Sequence, residues 1–65
     1  MIDTSPHQIA YELRSAKRAV RRDPTSPRHA DLTRAREAAE GLLAAGQLDI
    51  ANAASLRVAL RETYR

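Results

Sequence analysis

The sequence predicts an all-α fold, a small three-helix bundle in which helices two and three form an antiparallel hairpin. Three observations predict it. Start signals recur at Ser5-Pro6, Ser26-Pro27 and Asp49, and stop signals stand at Asp23-Pro24 and Gly46. Between them, apolar residues repeat at the i, i+4, i+7 spacing of a helix face.

Helix one is expected over about 6–22. Ser5 is a good N-cap, Pro6 suits the first helical position, and Gln8 completes a Ser-x-x-Gln capping box. The helix should end near Arg22, because Asp23 precedes a proline and is pushed out of the helical region. Ile9, Leu13, Ala16 and Val20 form its apolar stripe.

Helix two is expected over about 27–45, opened by Ser26-Pro27 and closed by Gly46 at the C′ position. Its apolar face reads Leu32, Ala35, Ala39, Leu42 and Leu43, with Arg36 and Glu40 as an i, i+4 surface pair. Gly41 falls away from that face, where it costs roughly 1 kcal/mol against alanine. Helix three is expected over about 50–64, with Asp49 as N-cap and Leu48 in the staple position. The short connection between helices two and three implies the hairpin.

A chain of 65 residues makes one domain, 1–65, with a modest core. Its apolar fraction is 43%, but alanine supplies 13 of those residues and buries little area. Domains this small often gain stability from a partner or from dimerisation. There is no cysteine, which excludes disulfides and thiolate metal sites. No stretch is long and apolar enough for a membrane span, and the opening Met1-Ile2-Asp3-Thr4 does not read as a signal peptide, so a cytoplasmic location without membrane insertion is expected. Arginine provides ten of the 11 basic residues; with the abundant alanine this suggests a GC-rich genome, such as that of an actinobacterium or one of its phages.

Catalysis has little support. His7 and His29 both sit in first turns, no HExxH spacing exists, and no Gly-rich phosphate loop is present. Asp31, Glu37 and Glu40 fall on a surface face rather than converging. No cofactor and no metal site is expected.

Charge is more informative. The net +3 is uneven: residues 1–22 carry five basic and two acidic groups, whereas residues 23–46 carry three and four. On helix one, His7, Tyr11, Arg14, Arg18 and Arg22 line one stripe opposite the apolar one, with Lys17 and Arg21 flanking it. Like charges at i, i+4 each cost a few tenths of a kcal/mol in an isolated helix. Only Glu12 lies nearby to offset them. Tyrosine and arginine are common interface anchors. The partner-binding candidates are therefore Tyr11, Arg14, Lys17, Arg18, Arg21 and Arg22. A plain solvated face is the competing account, since a basic run at a helix end also complements the helix dipole.

Helix three carries two apolar rows with Arg57 and Arg61 between them. Ala53, Leu56, Leu60 and Tyr64 form one; Ile50, Ala54 and Val58 form the other, a candidate self-association face in a homodimer. The alternative is that the arginine stems snorkel over one broad core face.

The segments Asp23-Pro24-Thr25-Ser26-Pro27 and Ala45-Gly46-Gln47-Leu48-Asp49 resemble punctuation in tetratricopeptide repeats. The stretch from Leu32 to Gly46 is too long for that family's first helix, and at most one unit is present. No binding residue is carried over. A helix-turn-helix reading also fits poorly, because Gly46 as the turn glycine puts Gln47 and Asn52 where buried apolar residues belong.

The first functional expectation is a non-enzymatic protein-interaction module: a small adaptor, inhibitor or assembly factor of a kind phages encode. It would dock through the basic face of helix one. The second is a sequence-tolerant nucleic-acid binder using the same face through phosphate contacts. A third, an amphipathic helix on a membrane surface, would require the Ile9–Val20 stripe to leave the core.

Overall fold

A computed structural model describes residues 5–65. Within them the chain folds as three helices, α1 (Pro6–Arg22), α2 (Arg28–Ala45) and α3 (Ile50–Glu62), with no strand. Every helix pair is in contact, α1 with α2 most extensively and α2 with α3 least. The short Gly46–Asp49 connection therefore joins two helices that touch each other while each also packs on α1. The reading of Met1–Thr4 lies outside the described residues.

The caps form as the sequence implies. Ser5 Oγ accepts from the Gln8 N–H at 3.2 Å, and Asp49 Oδ1 accepts from the Asn52 N–H at 3.0 Å. Gly46 closes α2 in the left-handed region, φ 68°, a conformation that costs glycine nothing and other residues dearly.

Two boundaries move inward. α2 begins at Arg28 rather than Pro27, because its first turn is wound tightly. His29 N–H donates to Ser26 O and Ala30 N–H to Pro27 O, both i→i+3 bonds, while Ser26 Oγ accepts from the Arg28 N–H. α3 ends at Glu62 rather than near Tyr64: Thr63, Tyr64 and Arg65 each donate to the carbonyl three residues back. Tyr64 is consequently exposed, and Thr63, the residue before it, takes the buried place at 1% exposure.

The core comprises Ile9, Ala10, Leu13, Ala16, Leu32, Ala35, Ala39, Leu56 and Ala59, with Val20, Leu42, Leu43, Leu48 and Leu60 packed around it. α1 separates its apolar and polar residues sharply; α2 and α3 hardly do. Alanine fills five of the nine core positions and lets the helix backbones approach closely. The Cα envelope measures 35 × 28 × 15 Å. Most positions of each helix are half-buried or exposed, so every helix keeps a face toward water.

Two arginines of α2 stitch the helices together. Arg28 donates to Asp31 at 2.9 Å within α2, and across to Ser15 Oγ at 3.2 Å and to Glu12 of α1. Arg36 donates to Thr63 Oγ1 at 3.1 Å and to the Thr63 carbonyl, closing the end of α3 from the neighbouring helix. Its guanidinium lies 4.3 Å from the centroid of the Tyr64 ring, whose hydroxyl donates to Glu40 at 3.0 Å. The expected Arg36–Glu40 surface pair does not form, because Arg36 reaches α3 and Glu40 takes the phenol.

Candidate binding groove

α1 presents five cations and a single acid, Glu12. The fold removes that acid from its neighbours, since Glu12 is engaged by Arg28 from α2. Along the rest of the helix, Arg14 meets Glu62 of α3 at 3.9 Å, with both side chains about half exposed. Among the described residues, no acid lies within ion-pair distance of Lys17, Arg18, Arg21 or Arg22.

Packing α3 beside α1 turns part of this face into an open groove of about 600 Å³. Arg14, Lys17, Arg18 and Arg21 form one wall. Glu62, Thr63 and Arg65 form the other, and Ala59, fully buried, lies between them. Five cationic side chains thus line a space with one carboxylate side chain, Glu62.

The predicted partner-binding set divides on this geometry. Arg14, Lys17, Arg18 and Arg21 come together in the groove. Tyr11, 62% exposed, and Arg22 lie outside it on the open surface of α1. The groove residues that sequence reasoning missed are all near the end of the chain: Ala59, Glu62, Thr63 and Arg65. A signal for Thr63 existed, since it stands at i+7 from Leu56 and continues that buried line, but its hydroxyl disguised it.

The candidate self-association row is solvent-facing. Ile50 is 90% exposed, Val58 46%, and Ala54 is exposed as well. The row that packs inward is Leu56, Ala59 and Thr63, with Ala53 and Leu60 half-buried beside it.

Tyr64, Asp23 and Arg28 are each held away from their ordinary titration values. The phenol of Tyr64 is pushed above its ordinary value by its hydrogen bond to Glu40, with desolvation adding to it. The Asp23 carboxyl is held below its ordinary value, chiefly by the Thr25 hydroxyl and then by the Thr25 N–H. Arg28 is held even more firmly protonated, first by Asp31 and then by Glu12. Among the described residues, no cluster of three or more His, Asp or Glu side chains could hold a metal ion. No helix there is long and apolar enough to cross a membrane.

The chain matches no known protein-family model, no curated protein and no solved structure.

Proposed function

We propose that this protein is a non-enzymatic interaction module that docks an acidic protein partner through the basic face of α1. The observation that carries this reading is the unequal treatment of its cations. Arg28 is held by Glu12 and Asp31 and Arg36 by Thr63, whereas Lys17, Arg18, Arg21 and Arg22 cluster on one helix with no acid within ion-pair distance among the described residues. Clustered like charge raises the free energy of the unbound state, and an acidic surface relieves it. Tyr11 adds a large ring at the edge of the same face, suited to anchor a protein interface.

The same charges would attract a nucleic acid. Tyr11 is the one aromatic residue of α1 and lies outside the groove, so a base would find no stacking platform within it.

The test is capture from a GC-rich bacterial lysate, with and without nuclease, by the natural chain and by a Tyr11→Ala/Arg18→Ala variant. A defined protein should be retained after nuclease by the natural chain and lost with the variant. Loss of all captured material on nuclease treatment would instead assign the face to a polyanion, with affinity falling steeply as salt rises.

A further inference from the structure

We infer that the docking site on α1 is the groove it forms with α3, and that the groove takes an acidic helical segment with carboxylates spaced i, i+3 or i+4, and i+7. This rests on the interaction-module reading and narrows it.

The cations on the α1 wall are Arg14, Lys17, Arg18 and Arg21. They follow helical spacing over seven residues, which spans about 10 Å at a rise of 1.5 Å per residue. A helix lying alongside, with acids at the same intervals, meets them turn for turn because both share one pitch. An extended strand would cover the same length with about three residues, and successive side chains would point to opposite faces. It could therefore offer only about two carboxylates to these four cations. The wall's periodicity favours a helix.

Glu62 distinguishes this groove from a general polyanion site. Its carboxylate lines the same groove as five cations and is held loosely, 3.9 Å from Arg14. A phosphate backbone carries negative charge at every unit and would have to seat one against Glu62. A peptide can leave that position neutral, or place a lysine there, and so avoid the repulsion. Glu62 therefore sets register and discriminates against uniformly charged ligands. The half-buried Lys17 adds its apolar stem to the groove, on which a helix can pack its small residues.

The probe is a synthetic alanine-based helical peptide with glutamates along one face at i, i+4 and i+7. It is compared with a peptide of identical composition whose glutamates are spread around the helix, and with an oligothymidylate of matched charge. Binding is read by fluorescence anisotropy, and the fold of each variant by circular dichroism.

The one-face peptide should bind more tightly than both controls. Arg18→Ala/Arg21→Ala should weaken it by at least tenfold, Tyr11→Ala/Arg22→Ala on the outer part of the face should weaken it clearly less, Arg57→Ala/Arg61→Ala on the exposed side of α3 should leave it within about twofold, and Glu62→Gln should tighten it by about two- to fivefold, the range for one exposed charge pair. If the outer pair abolishes binding and the groove pair does not, the groove assignment fails while docking through α1 stands. Equal binding of the two peptides would overturn the helical occupant. Tighter binding of the oligothymidylate, or no binding of any probe, would overturn the groove assignment and the protein-docking reading together.

Discussion

Arginines in α2 and arginines in α1 have the same chemistry and opposite circumstances. Arg28 and Arg36 of α2 reach across helix seams and are held by partners there, on Glu12, Asp31 and Ser15 in one case and on Thr63 and the Tyr64 ring in the other. Arg18 and Arg21 of α1 project over a groove and have no acid beside them. The difference teaches that charge count alone does not identify a functional face. Whether the fold supplies partners for the charge does. Glu12 makes the point sharply, because the one acid that could have quieted α1 is taken by a residue on another helix.

The largest expected effect falls on the partnered side. Arg36→Ala removes the bonds that close α3 and leaves a buried threonine with fewer partners, so stability should drop by roughly 1.5–3 kcal/mol, the range for hydrogen bonds to charged groups. Arg36→Lys should recover only part of this, because an ammonium cannot serve two acceptors and stack on a ring as a planar guanidinium does. Urea unfolding of the three proteins measures both, and an unchanged midpoint for Arg36→Ala would break the comparison.

Next comes a gain. A Cβ at Gly41 meets nothing within 4 Å, and the residue lies within α2. Gly41→Ala should therefore raise stability by about 1 kcal/mol. Thermal unfolding checks it, with the circular dichroism of the native state unchanged.

On the unpaired side the expected stability effect is small. Arg18→Ala/Arg21→Ala should shift unfolding by less than about 0.5 kcal/mol in either direction, since exposed substitutions away from contacts rarely do more. A large loss would mean that these cations hold the fold, and the contrast with Arg36 would collapse.

The smallest effect is spectroscopic. In a Tyr11→Phe background, ultraviolet titration should show the Tyr64 phenol ionising above the ordinary value of 10.0, and Glu40→Gln should bring it back toward that value. The fold favours the neutral phenol. Its contribution to stability is thus complete below pH 10 and is lost as pH climbs through the raised value. Tyr64 titrating at an ordinary value in the parent would show that the hydroxyl does not hold Glu40 in solution.

Much of the fold was legible because its signals are local. Ser5, Asp49, Pro24 and Gly46 act within a few residues of themselves, and the Ile9–Leu13–Ala16 stripe needs only helical period to be seen. What could not be read depended on another helix. Arg36 and Glu40 satisfy an i, i+4 rule that holds on an isolated helix, yet α3 brings two acceptors and a ring to Arg36 and a phenol to Glu40, and the two part. Thr63 looked polar and is buried, because its hydroxyl donates to Leu60 O and accepts from Arg36. The basic wall of the groove was visible in the spacing of Arg14, Lys17, Arg18 and Arg21. The opposite wall was not, because the tertiary packing of α3 on α1 creates it.

The bond from Arg36 to Thr63 has a consequence for motion. The end of a helix ordinarily frays on its own, through brief local openings far cheaper than global unfolding. Here the last turn of α3 is fastened from α2, so it opens only when that fastening lets go. Glu62 and Arg65, flanking Thr63, inherit this restraint, and with them one bank of the groove. A residue on the far helix, touching no ligand, thereby governs how long the groove keeps its shape, and amide exchange at Thr63 and Tyr64 is the clock on which that hold is read.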